Sequence, residues 1–313
     1  MRLRRSVVAV LAVAATIVLR AIPATAASTL SLAYSPDTSP WSLAPGEYYT
    51  ELSGSSFAAT SYYDAEATRL ALGDRYQSRA FRSYSELGWK KRMSVQLSLP
   101  LVTNSWRMTP PSDAVNSGLE DFGFGLRYRL SNGRTASSLQ ARWEAPAGYD
   151  SRLLPAVGDG LQKLSLSWQL GRAMGTSSFA EVGVGGRYEF RSLSGRGAAD
   201  KTYGEPAPVT RTQNWAEHVT LHAAYARWVG RVMVAGTYEG AFNVSTGRPY
   251  KIAEQGVGPR ITYRVDERLD TFAGSWHTPW GRNTLHFDEY YAGIAWRLTK
   301  LNRLQGFHGG DLR

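Results

Sequence analysis

The sequence predicts an all-β fold, a closed antiparallel transmembrane β-barrel of about twelve strands. Three observations predict it. Segments with side chains alternating between apolar and polar recur along nearly the whole chain. An export signal precedes them. The connections between them alternate in length, as the two ends of a membrane barrel do.

The chain begins MRLRRSVVAVLAVAATIVLRAIPATAAS. Arg2, Arg4 and Arg5 form a basic start, an apolar run follows from Val7 to Leu19, and Ala24-Thr25-Ala26 supplies small residues. That order predicts a secretory signal peptide over 1–26, cleaved near Ala26. Residues 27–44 are expected to form an N-terminal linker, 45–298 the barrel and 299–313 a C-terminal tail.

The clearest strand is EDFGFGLRYRL, 120–130. Phe122, Phe124, Leu126, Tyr128 and Leu130 share one parity, and Gly123, Gly125, Arg127 and Arg129 the other. Alternate side chains on a strand point to opposite faces. The same alternation runs through 92–103, 135–145, 161–172, 177–191, 213–228, 231–244 and 285–298, and more weakly through 47–58, 78–89, 255–265 and 270–278. Most reach the ~9–11 residues a tilted strand needs to cross a bilayer. Short turns are expected at Lys90-Lys91, 131–134, 173–176, 229–231 and 266–270. Longer polar loops are expected at 59–77, 104–118, 146–160, 192–212 and 245–254. The connection at 279–284 is short where the scheme wants a long one, which leaves ten strands as the alternative count. Trp89, Trp143, Trp168, Trp228 and Trp296 lie near segment ends, as do Tyr48, Tyr49, Tyr290 and Tyr291. Such rings favour the headgroup level.

Composition removes several classes of function. With no cysteine there is no disulfide scaffold and no thiolate chemistry. The formal charge is +10; four arginines and no acids lie in 1–26, so the remainder carries +10 − 4 = +6. The bases are scattered singly rather than clustered, which speaks against nucleic acid as a partner. The expected partners are outer-membrane lipids, the barrel-assembly machinery and a small-molecule solute.

If the aromatic parity faces lipid, the other parity lines the lumen. That predicts Arg82, Glu86, Arg127, Arg129, Arg142, Glu144, Lys163, Glu181, Arg187, Glu189, His218, His222, Glu239, Arg260, Arg264 and Arg297 as lumen-lining residues and candidates for solute binding. Such charges either border a polar passage or pair across the barrel and fill it. Their arginine excess predicts a slightly anion-attracting interior. His218 and His222 are separated like two helical zinc ligands, but on a strand they stand ~13 Å apart, too far for one ion. No metal and no cofactor is expected.

Arg129-Leu130-Ser131-Asn132-Gly133 is similar to the His-x-Ser-Asn-Gly motif of outer-membrane phospholipase A, another twelve-strand barrel. Arg129 occupies the place of the histidine base, and an arginine cannot take a serine proton at neutral pH. Asn-Gly is also a preferred hairpin turn, so no catalytic residue is assigned.

DFGFGLRYRL (121–130), WEAPAGYD (143–150), GDGLQKLSLSWQLG (158–171) and SFAEVGVGGRYEFR (178–191) follow one another in order. Together they resemble the outer-membrane transporter family associated with the meta-pathway of phenol degradation. The resemblance covers roughly residues 85–191. It implies a barrel that moves small, hydrophobic or aromatic compounds, with no catalytic residues to carry over. The family's pattern departs at the C-terminus, where TKLNRLQGFHGGDLR follows the last strand. The expected function is passive transport of a small solute across the outer membrane of a Gram-negative cell. The alternatives are a structural barrel binding a partner through 104–118 and 192–212, and, third, a lipid-modifying enzyme.

Overall fold

A computed structural model describes residues 39–107, 113–131, 133–147, 149, 155, 157–158, 161–191, 216–244, 253–282 and 284–298. The proposed signal peptide, the C-terminal tail and most of the loops 146–160, 192–212 and 245–254 lie outside the described residues.

The strands are β1 Tyr48–Tyr63, β2 Arg69–Lys90, β3 Met93–Arg107, β4 Asp113–Leu119, β5 Asp121–Ser131, β6 Thr135–Pro146, β7 Leu161–Met174, β8 Ser178–Arg191, β9 Ala216–Val229, β10 Val232–Asn243, β11 Ala253–Arg264, β12 Leu269–Arg282 and β13 Thr284–Leu298. β4 and β5 are two halves of one barrel strand, because both pair with β3 and only Glu120 separates them. The break faces Pro100, whose carbonyl accepts the Glu120 N–H at 3.0 Å. A proline cannot donate to a ladder, so it favours an irregularity there. The wall therefore has twelve strands, all antiparallel, and the ten-strand alternative falls. Tyr48↔Leu298 through Ala58↔Asp288 pair β1 to β13 and close the cylinder.

The strand faces divide as the alternation predicts. Phe81, Leu97, Leu99, Leu101, Phe124, Tyr128, Leu164, Leu166 and Ile261 are exposed, while Glu86, Ser94, Gln96, Arg127, Ser138, Gln140, Glu181 and His222 are buried. Polar residues inside and apolar residues outside invert a soluble sandwich and match a membrane barrel. Trp89, Trp168, Trp296 and Tyr290 are exposed on the outer surface.

The structure corrects three expectations. Tyr49 and Trp228 do not sit at the rim but are buried inside, and Tyr291 packs against the interior cluster around Tyr49. Their parity is inward, so proximity to a strand end was a misleading sign. Next, 59–77 and 104–118 are not long loops: paired strand continues to Tyr63, from Arg69, to Arg107 and from Asp113. Above the apolar belt both faces are wet, so the alternation fades while backbone pairing goes on. The short 279–284 connection is the same effect, a hairpin whose strands run to Arg282 and from Thr284. Lastly, the described part of the linker, 39–44, is packed inside the barrel.

Candidate functional site: a polar lumen with residues 39–44 packed inside

The short turns gather at the end of the barrel that holds both chain termini of the wall. Gly175 (φ 75°) and Gly230 (φ 61°) take the left-handed conformation such turns require. At this end residues 39–44 enter the lumen. Trp41 is fully buried, meets Phe179 edge-on with ring centroids 5.7 Å apart, and its Nε1 donates to the Gly133 carbonyl at 3.4 Å. Leu43 packs with Tyr49, Tyr84, Phe272 and Ala295. The segment is tied to the wall where Gly46 N–H donates to the Gly88 carbonyl at 2.8 Å and Gly88 N–H to the Glu47 carbonyl at 2.9 Å.

Two wall glycines make room for it. A Cβ at Gly88 would stand 1.9 Å from the Ala44 carbonyl oxygen, and one at Gly171 2.4 Å from both the Pro40 ring and the Trp41 indole. Gly171→Val should therefore expel the segment while leaving the outer wall intact. We expect higher conductance from that variant at unchanged barrel content by circular dichroism. An unchanged conductance would mean that the segment is not the stopper.

Above the plug sits a buried ion pair. Arg127 Nη1 donates to both Glu86 carboxylate oxygens, at 3.0 and 2.8 Å, with both side chains fully buried. Glu86 also accepts from Ser94 and from Tyr84 Oη at 2.9 Å. Arg127 reaches the Trp41 carbonyl at 3.3 Å, so the plug and the pair are one network. Gly123 and Gly125, flanking this site on β5, leave space for neighbouring side chains: a Cβ there would meet Ser98 and Arg142, or Gln96, within 3 Å.

The other lumen candidates mostly pair off along the wall. Glu51 accepts from Arg260 Nη2 at 3.0 Å, and the Arg260 guanidinium lies 3.7 Å over the Phe272 ring. Asp270 accepts from both Arg264 and Arg297, and Arg264 covers Trp228 at 4.1 Å. His222 Nε2 lies 3.1 Å from Glu181 and its Nδ1 3.6 Å from Glu239. Glu189 joins Arg187 at 3.1 Å and His218 at 3.4 Å. Arg142 donates to Glu144 at 2.9 Å, Lys163 to Asp121 at 3.1 Å and Arg82 to Glu289 at 2.8 Å. Arg129 is at the short-turn mouth, bonded to the Lys91 carbonyl. Ser131 is exposed at the same end and donates to the Thr135 carbonyl at 3.3 Å.

Among the described residues, cavities of about 390 and 350 Å³ lie between these groups and meet at Arg142 and Glu144. Their charged walls comprise Arg82, Arg142, Lys163, Arg187 and Arg260 against Glu51, Glu120, Asp121, Glu144, Glu239 and Glu254, five basic to six acidic. Formal charge around these two cavities is thus nearly balanced. Phe57, Tyr76, Trp106 and Phe287 occupy the inward parity at the long-loop end, a feature the alternation alone did not single out. Phe57 stacks on Phe287 at 4.4 Å and touches Tyr76 at 5.8 Å, and Tyr76 meets Trp106 edge-on at 6.0 Å.

The chain's wall order and closure can be set beside solved structures. The COG4313 outer membrane channel from Pseudomonas putida F1 superposes with a TM-score of 0.63 at 10% identity, over 82% of this chain and 97% of that one. This chain has an outer-membrane β-barrel fold. The β domain of the Bordetella autotransporter BrkA aligns at a TM-score of 0.49 and 13% identity over 80% of this chain and 99% of its own. The CymD monoaromatic hydrocarbon channel aligns at a TM-score of 0.40 and 10% identity over 89% of this chain and 94% of its own. No family model and no curated protein matches the sequence.

Proposed function

We propose that the chain is a passive outer-membrane channel for a small solute, stopped at its short-turn end by residues 39–44. The observation that carries this is the construction of the stopper. Residues 39–44, ahead of β1, lie inside the barrel against Gly88 and Gly171 rather than forming part of the wall. Beyond the segment lie polar cavities of a size that suits a small molecule. The long-loop end faces the cell exterior in this assignment, since short turns are periplasmic in such barrels.

The solute class follows from the two zones of the lumen. Four inward aromatic rings stand at the long-loop end, and a balanced polar belt stands beneath them. That sequence of surfaces supports a small aromatic or hydrophobic compound carrying a polar group, in line with the resemblance to the phenol-pathway transporters. Liposome swelling tests it. Phenolic solutes should enter vesicles carrying the protein faster than sugars of equal size, and Tyr76→Ala with Trp106→Ala should remove that preference. Equal rates for both solutes would defeat the aromatic assignment. No flux at all, even with the stopper removed, would favour a structural barrel.

A further inference from the structure

Some of the chain's arginines stand on the outside of the barrel. On β2 the outward parity is that of Phe81, 51% exposed, and on β3 that of Leu97, Leu99 and Leu101. Arg79 and Arg75 continue the first row and Arg107 the second, and all three are exposed. The apolar belt ends abruptly here: Leu101 gives way to Thr103, Ser105 and Arg107, and Phe81 to Arg79, Gln77 and Arg75.

The depth is informative. Ten residues separate Trp89, exposed at the short-turn rim, from Arg79. At ~3.4 Å per residue and a ~40° tilt that is about 26 Å of height, close to the ~25 Å apolar band of an outer-membrane barrel. Arg79 thus stands at the upper edge of the hydrocarbon, and Arg75 and Arg107 at headgroup level.

The pairing is informative too. Arg75 and Arg107 are direct cross-strand partners. Like charges placed opposite one another destabilise a sheet, so an anion beside Arg75 would relieve the pair. Asp113 stands opposite Arg107 in the β3–β4 register. Arg75 and Arg79 make no ion pair with any described residue.

We propose that Arg75 and Arg79 form a binding site for the phosphates of an anionic outer-leaflet lipid, lipid A, on the outer face of the β2–β3 hairpin. The long aliphatic stem of Arg79 lies along the acyl chains while its head rises to the phosphate. Guanidinium forks suit phosphate oxygens. The Leu97–Leu99–Leu101 row below offers the acyl chains an apolar track. The site is independent of solute passage, but it rests on the outward assignment of the long-loop end.

The test is a binding measurement on the full barrel in detergent micelles. Tritiated lipid A with both phosphates is titrated against wild type, Arg75→Gln/Arg79→Gln, and Arg231→Gln at the opposite end as control. Heat-modifiable gel mobility reports folding of each. The double variant should bind about tenfold or more weakly, given the worth of each basic group near an anionic surface, and the control should bind as wild type. Dephosphorylated lipid A should bind wild type as weakly as bisphosphorylated lipid binds the variant. Equal binding by wild type and double variant would overturn the site, as would displacement of the lipid by millimolar inorganic phosphate, which would mark a free-anion site. Liposome swelling on the same variants separates the two proposals, since loss of the lipid site leaves solute flux unchanged. Protection of Arg75 from modification by added lipid A in proteoliposomes reports which end faces outward.

Discussion

Removing residues 39–44 is expected to raise single-channel conductance several-fold in planar bilayers and to abolish brief closures. Trp41 accounts for much of the anchoring. Its indole is fully buried against Phe179, and its carbonyl takes a hydrogen bond from Arg127. Truncating a buried tryptophan costs about 3–5 kcal/mol. At ~1.4 kcal/mol per factor of ten, Trp41→Ala should raise the undocked population by about two to three and a half orders of magnitude. A deletion that leaves conductance unchanged would show that the restriction lies in the wall. Comparing Trp41→Ala with the deletion separates a loosened stopper from an absent one: the point variant should flicker, the deletion stay open.

Breaking the Glu86–Arg127 pair is expected to have the largest effect on stability. Arg127→Met leaves a fully buried carboxylate without its cation. Removing one partner of such a pair typically costs about 3–5 kcal/mol. The urea midpoint for the barrel in lipid vesicles should fall accordingly. Glu86→Leu/Arg127→Met removes both charges, and replacing a buried pair by apolar groups is often neutral, so it should recover most of the loss. If the double variant is as unstable as the single one, the coupling is not electrostatic. Because Arg127 also holds the Trp41 carbonyl, both variants should share a raised conductance, which ties the ion pair to the stopper.

The wall was legible in the sequence because a membrane barrel writes itself in period two. Phe124 and Leu126 face out while Gly125 and Arg127 face in, and β-pairing preserves that order across every neighbour. Parity alone also picked out Glu86, Arg127 and Arg260 as inward. It could not choose their partners, since cross-barrel distances depend on closure and tilt. Glu51, the partner of Arg260, was not among the residues singled out, for it lies on the weakly alternating β1. The plug was illegible for a different reason. Pro40, Trp41 and Leu43 have no periodicity, and only the glycines at 88 and 171 hint at something pressing on the wall from within. A glycine on the inward parity, where the wall gains nothing by lacking a side chain, was the available signal. Trp228 misled because a tryptophan near a strand end can serve either surface, and only its even parity, shared with His218 and His222, places it inside.

The stopper belongs to the first stretch of barrel chain to leave the export machinery, yet its contacts reach Arg127, Gly133 and Phe179. Its seat therefore does not exist until strands far along the chain have joined, and β1 meets β13 only when the whole wall is present. Contacts so distant in sequence form late. On the proposed function, the pore would be open before it is shut, and docking of residues 39–44 would be a separate final step at the short-turn end. A barrel stalled before its last strands would then leak, because the seat for Trp41 would be incomplete.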